Sequence, residues 1–164
     1  MESWCDLSGT IYYEEQGVRI GNTQAGKLTN EVHDCSVIAV AVSADVPYQI
    51  AHELLRKWGR KNNSYTPRFY HWCRLGPFQW RRCVKRTRTI KTFIKHHPTG
   101  RYIILLRPHS HTCHVASVVN GTLYNCGIDS IKCIVFDAWK FEGPRQKVFK
   151  SGVLPVIAKQ LANN

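Results

Sequence analysis

Acidic residues are missing from the middle of this 164-residue chain. No Asp or Glu occurs between Leu54 and Ile128, whereas fifteen of the 23 Lys and Arg residues lie there. A segment that carries positive charges and no negative ones attracts anionic partners, and the binding of such partners is sensitive to salt. The same composition would also suit a solvated face that only keeps the protein soluble. We favour an anionic partner because acids are absent over such a length.

The chain also lacks a long apolar run. No stretch approaches the about 18 consecutive apolar residues that a membrane-spanning helix needs, and the N-terminal MESWCDLSGT is polar, unlike a secretory leader. The sequence therefore predicts a soluble cytoplasmic protein with no membrane partner. The length fits a single domain over residues 1–164, with a basic, loop-rich segment at about 60–97.

Paired cysteine motifs are absent as well. The seven cysteines are odd in number and include no CxxC pair, which favours reduced thiols over a disulfide framework. Structural zinc sites use ligand pairs a few residues apart. The nearest approach to one is formed by His109, His111, Cys113, His114 and Cys126. Because this set lacks a standard spacing, we predict no metal and no other cofactor, with zinc as the alternative.

Cations and aromatic residues alternate in the densest part of the acid-free segment, where Trp72, Phe78, Trp80 and Phe93 are interleaved with Arg and Lys. Arginine forks match phosphate geometry, and aromatic rings stack on bases. This composition predicts nucleic acid or another polyanion as a partner. The residues expected to bind it are Arg81, Arg82, Lys85, Arg86, Arg88 and Lys91.

The pattern of apolar residues predicts an α+β fold. IYY and VRI form a short hairpin, and Asp45 caps a helix whose first turn holds Pro47 and whose apolar positions run from Tyr48 to Gly59. The preceding CSVIAVAVSA then becomes the buried first helix of a pair. RTIKTFIKHH is a short helix, while RYIILLR, CHVASVV, GTLYN and IKCIVFDAWKF are β-rich segments of an antiparallel sheet. The helix pair is expected to pack on this sheet.

Cys35 is a candidate nucleophile because it opens a predicted helix. Unpaired backbone N–H groups and the helix dipole at that position favour a thiolate, although a cysteine on an apolar helix is also often an ordinary buried thiol. A catalytic cysteine needs an imidazole and a group that orients the imidazole. Asn120 and Gly121 predict a two-residue hairpin turn, which places His114 and Asn125 on neighbouring strands and within diagonal reach.

Two stretches carry a resemblance to a known family. HDCSVIAVAVSADVPYQIAHELLRKWGRK resembles the nucleophile region of small papain-like cysteine peptidases of bacteria and their phages, in which Asp-Cys opens an alanine-rich helix. HPTGRYIILLRPHSHTCHVASVVNGTLYN resembles their second half, where a histidine begins a strand and a Gly turn leads to Asp or Asn. The order Cys, His, Asn is that of the papain and bacteriocin-processing peptidase groups.

This resemblance implies a papain-like fold and a thiol hydrolase that cleaves peptide or isopeptide bonds. It implies Cys35 as the nucleophile, His114 as the base, Asn125 as the orienting residue and Asn30 as an oxyanion donor. It also implies a phage or a mobile element as the source, and hence the host cytoplasm or a virion as the location. The alternative is an inactive papain-like scaffold that binds nucleic acid or is associated with a virion.

Overall fold

The structure, a computed structural model, describes residues 3–5, 11–15, 18–22, 33–64, 66–84, 88–107, 114–124 and 133–145. The helices in these ranges are α1 (Cys35–Ala44), α2 (Tyr48–Lys57), α3 (Phe69–Leu75) and α4 (Ile90–His96). The strands are β1 (Ser3–Cys5), β2 (Ile11–Glu15), β3 (Val18–Asn22), β4 (Phe78–Val84), β5 (Arg88–Thr89), β6 (Arg101–Arg107), β7 (His114–Val119), β8 (Thr122–Tyr124) and β9 (Ile134–Pro144).

Five antiparallel strands form the centre of the sheet, in the order β8-β7-β6-β9-β4. The N-terminal hairpin of β2 and β3 extends this sheet, because β3 lies parallel to β8 and β1 pairs with β2. The short β5 pairs with β9. Helices and a mainly antiparallel sheet confirm the α+β prediction.

The central sheet is covered on both faces, which explains why β6 reads as a continuous apolar run. Ile103 belongs to a core shared with α1, α2 and α3, whereas its neighbour Ile104 belongs to a core shared with Ile90 and Phe93 of α4. Both isoleucines are completely buried. Adjacent residues of one strand point to opposite faces, so a strand between two helical layers has no polar side.

Helix α1 lies close against β6 and β7 because its inner side chains are small. Ala39 is fully buried, and its carbonyl accepts a hydrogen bond from the Ser117 hydroxyl of β7 at 3.0 Å. Near the other end of the helix, the Ser43 hydroxyl donates to the Tyr102 carbonyl of β6 at 2.9 Å. These two buried hydrogen bonds fix the position of α1 along β6 and β7, and therefore the position of its first residue.

The predicted helix pair is present, but its capping was predicted wrongly. Asp45 is the C-cap of α1, in the left-handed conformation with φ 56°, and not the N-cap of the next helix. The N-cap of α2 is Pro47, which is extended and offers no capping side chain. The Asp45 carboxylate instead accepts from the Arg101 guanidinium at 2.9 Å. Among the described helices, none is long and apolar enough to cross a membrane.

Residues 60–97 are more regular than predicted. The stretch expected to be loop-rich contains α3, β4 and β5 as well as the predicted short helix, α4. Trp72 of α3 and Phe78 and Trp80 of β4 are all buried, and their rings meet edge-on or tilted. This aromatic cluster holds α3 against the sheet, since a seven-residue helix is not stable alone. The periodicity of the local sequence did not predict α3, because the contacts that stabilise this helix come from residues of another element, β4.

The neighbouring arginines of β4 are both neutralised by acids of β9. Arg81 donates to Glu142 at 2.9 Å on the surface. Arg82 makes two hydrogen bonds to the carboxylate of Asp137, one of them at 2.9 Å, and the Asp137 side chain is only 3% exposed. The middle of the sequence has no acids of its own, but the pairing of β4 with β9 brings acids from the C-terminal part of the chain to two of its cations.

Replacing Arg82 by Ala should lower the free energy of unfolding by about 2 kcal/mol, because the buried Asp137 carboxylate would lose two charge-assisted hydrogen bonds. Chemical denaturation measured by tryptophan fluorescence tests this. Arg81→Ala is the matched control: its exposed pair with Glu142 contributes little, so stability should be nearly unchanged. Equal losses in the two variants would contradict the different roles of the two ion pairs.

Candidate active site

Cys35 occupies the first position of α1. The helix begins there because the carbonyl of Asp34 accepts the backbone N–H groups of Val37 and Ile38 at 2.8 and 3.0 Å, which closes the first turn. The apolar run that follows is buried against the sheet and leaves the thiol at the end of the helix, half-buried. The positive end of the helix dipole therefore acts on the sulfur.

His114 is the first residue of β7 and pairs with Leu106 of β6. Because α1 packs along β7, the start of this strand meets the start of the helix, and the imidazole of His114 lies near enough to the sulfur of Cys35 for a hydrogen bond that lowers the pKa of the thiol. The imidazole is half-buried, like the thiol. The structure therefore brings together two residues that lie 79 positions apart in the sequence.

The surroundings of Cys35 favour its thiolate. Burial raises the pKa of the thiol, but a hydrogen bond from His114, the N–H of Val115, the charge of His114 and the N–H of Ser36 together outweigh burial and hold the pKa below its ordinary value. Two of these donors are fixed backbone groups. They need no side-chain ordering when charge develops on the sulfur.

The pKa of Cys73 shifts in the opposite direction to that of Cys35. Cys73 is fully buried in α3, and burial, followed by the negative charge of Asp137, raises its pKa far above the ordinary range. Cys83 is half-buried and its pKa is also raised, again mainly by burial. Among these described thiols, the lowered pKa of Cys35 is therefore a property of its site.

A buried polar network lies behind the nucleophile, and the contacts between its members were not predicted from the sequence. The Tyr48 hydroxyl donates to the Asp34 carboxylate at 3.1 Å, and the Arg60 guanidinium donates to the carbonyl of His33 at 3.0 Å. The Ser36 hydroxyl also hydrogen-bonds that of Thr66, at 2.6 Å. Tyr48 was read from the sequence as an apolar position of α2, and Arg60, which stands beside Lys61 in a polar stretch after that helix, carries no local signal of burial.

The hairpin that was expected to carry the orienting residue forms as predicted. Asn120 and Gly121 make its turn with φ of 47° and 79°, and Val119 pairs with Thr122. Both φ values are positive, as a tight two-residue turn between twisted strands requires. Asn125, which follows β8, and Asn30 lie outside the described residues.

The expected polyanion-binding residues do not share one environment. Lys91 is exposed on α4, whereas Arg81 and Arg82 are engaged with acids of β9. Lys85 and Arg86 lie outside the described residues, and for Arg88 the structure describes the backbone in β5 but not the side chain. Among the side chains of this set that the structure describes, Lys91 is thus the exposed one that is not paired with an acid of β9.

For the zinc alternative, the structure describes one of the five candidate ligands, His114, and its imidazole contacts Cys35. His109, His111, Cys113 and Cys126 lie outside the described residues. Within the described ranges, no three His, Cys, Asp or Glu side chains converge in a way that could hold a metal ion.

Comparison with models of protein families found no match for this chain, and searches among curated proteins and among solved structures found none either. A thiolate-prone cysteine at a helix start, hydrogen-bonded to a histidine at a strand start, can act as a nucleophile with an acid-base partner.

Proposed function

We propose that the protein is a papain-like cysteine hydrolase that cleaves peptide or isopeptide bonds through Cys35 and His114. The observation that carries this proposal is that the packing of α1 on β7 brings the first residue of each, Cys35 and His114, together, at a site where His114 helps to lower the pKa of the thiol. The α+β fold, with α1 packed across β6 and β7, supplies the rigid frame that such a pair needs.

In the proposed reaction, the Cys35 thiolate attacks the substrate carbonyl carbon and a tetrahedral oxyanion forms. The backbone N–H of Cys35 and the side chain of Asn30 stabilise that oxyanion. When the C–N bond breaks, His114 donates its proton to the leaving amine and the acyl group remains on the sulfur as a thioester. Water, deprotonated by His114, then releases the carboxylic acid and restores the thiolate. Asn125 orients the His114 ring.

The proton balance explains why these two residues must be in contact. A neutral imidazole beside a neutral thiol gives a weak nucleophile and a weak acid. Transfer of the proton from Cys35 to His114 produces a strong nucleophile and places an acid next to the future leaving group. The N–H groups of Ser36 and Val115 favour this transfer because both donate to the sulfur.

An activated ester tests the nucleophile without knowledge of the natural substrate. With p-nitrophenyl acetate, the wild-type chain should release a burst of about one p-nitrophenolate per molecule, as expected for acyl-enzyme accumulation. Peptide mass spectrometry should then find the acetyl group on Cys35. His114→Ala should slow the burst about 100-fold, because proton transfer is lost.

The matched control for this burst is Cys83→Ala, which removes another half-buried thiol, one that lies away from His114. It should leave both the amplitude and the rate unchanged. An equal burst in Cys35→Ala, or acetylation of another residue at the wild-type rate, would show that Cys35 is not the nucleophile.

The exposed lysines of α4 support nucleic-acid binding as a second function, either beside the hydrolase activity or on an inactive scaffold of the same fold. Lys91 and Lys95 are one helical turn apart, so they project from the same side of α4, and both are exposed. They lie in the acid-free segment, between Arg88 and Arg101. Two neighbouring cations on one helix face can each neutralise a phosphate.

If these lysines contact nucleic acid, the double variant Lys91→Gln/Lys95→Gln should reduce the slope of log affinity against log salt by about 2. Fluorescence anisotropy with a labelled oligonucleotide at several salt concentrations measures that slope. The control is Arg56→Gln/Lys57→Gln on α2, whose cations both contact Glu53 and should change the slope less. The same slope in all three proteins would assign α4 to an ordinary solvated surface.

A further inference from the structure

The carboxylate of Asp34 does not do what an aspartate at a helix start ordinarily does. Asp34 is the N-cap of α1, yet its side chain makes no capping hydrogen bond. An aspartate at this position normally accepts the backbone N–H of the second or third helical residue. In α1 the third and fourth N–H groups, those of Val37 and Ile38, bond to the Asp34 carbonyl, whereas the N–H of the second residue, Ser36, lies beside Cys35 and helps to lower the pKa of its thiol.

Tyr48 accounts for this difference. Its hydroxyl, on the first residue of α2, donates to Oδ2 of Asp34 at 3.1 Å, and both residues are 7% exposed. A carboxylate that is buried to this extent needs hydrogen-bond donors. The hydroxyl supplies one from the side of α2, away from the helix N–H groups.

We propose that Tyr48 is a positioning residue: by holding the Asp34 carboxylate towards α2, it keeps the Ser36 N–H available to the sulfur of Cys35. This inference rests on the proposed nucleophile. The carboxylate and the sulfur are alternative acceptors for the same N–H. If the carboxylate took it, the sulfur would lose a donor and gain a negative charge nearby, and both changes disfavour the thiolate.

The rest of the surrounding network fits this role. Arg60, which is 3% exposed, follows α2 and donates to the carbonyl of His33, so the backbone immediately before Asp34 is also held from α2. His52 stacks on the Tyr48 ring with centroids 6.1 Å apart and restrains it from the next helical turn. In the described part of the chain, the ionisable groups around this helix start include His33, Asp34, Tyr48, His52, Arg60 and His114 on β7.

The test is the rate at which iodoacetamide labels Cys35, measured by peptide mass spectrometry as a function of pH. In Tyr48→Phe the ring remains and only the hydroxyl is lost. We expect the rate near pH 6 to fall about tenfold and the midpoint of the profile to move to higher pH, because the thiolate fraction falls. Cys73 reports on folding in the same samples: it is fully buried and should stay unlabelled.

Tyr102→Phe is the matched control. Tyr102 is also buried, and its hydroxyl donates to the Thr99 carbonyl at 2.8 Å. This variant loses one tyrosine hydrogen bond at a different place, so the Cys35 profile should match the wild type. A tenfold loss here as well would mean that any weakened hydrogen bond lowers Cys35 reactivity, and would overturn the proposal.

Variants of Asp34 show whether Tyr48→Phe acts on Cys35 through the Asp34 carboxylate or through a general loss of structure. If Tyr48 acts only by restraining the carboxylate, adding Tyr48→Phe to Asp34→Ala should have no further effect, because no competing acceptor is left. Asp34→Asn keeps an acceptor for Tyr48 but removes the charge, and should label Cys35 faster than the wild type. Additive losses in the double variant, or slower labelling in Asp34→Asn, would overturn the proposal.

The failure of this inference can be told apart from the failure of the proposed function. A wild-type Cys35 that labels only at the pH of an ordinary thiol would remove the nucleophile itself. A wild-type Cys35 that labels near pH 6, with Tyr48→Phe giving the same profile, would leave the nucleophile in place and remove only the role of Tyr48.

Discussion

The contact between α1 and β7 determines where the candidate site forms. The Ser117 hydroxyl reaches the Ala39 carbonyl only because small side chains let the helix approach the strand closely. This contact sets the position of the helix along the sheet, and so brings Cys35, at the start of α1, to His114, at the start of β7. A larger residue at Ala39 would move the helix away and separate the two side chains.

A thiolate in a half-buried position has to be stabilised by more than one group. Burial opposes the charge, as Cys73 and Cys83 show by their raised pKa values. At Cys35 the imidazole of His114 and two backbone N–H groups reverse that outcome. The proposed role of Tyr48 follows from the same competition, because one of those N–H groups belongs to a helix start where a carboxylate is the usual acceptor.

The parts of the structure that could be predicted from the sequence depend on local chemistry. The Asn120-Gly121 turn predicted the hairpin register, and the apolar RYIILLR predicted β6. The apolar run of α1 fitted a helix or a buried strand, and it was predicted as a helix only because the amphipathic α2 follows it. The helix α3 and the pair of Arg82 with Asp137 were missed, because they depend on residues far apart in the chain. The wrong cap at Asp45 has the same cause, since Arg101 on β6 engages that carboxylate.

The central claim is that Cys35 carries a thiolate beside an imidazolium, and its most direct test is the ultraviolet absorbance of the thiolate as a function of pH. The signal of Cys35 is obtained by subtracting the spectrum of Cys35→Ala from that of the wild type. The account predicts that this signal appears well below the ordinary thiol pKa of about 8.5 and moves upward in His114→Ala. A signal that appears only at or above the ordinary value, with or without His114, would contradict it.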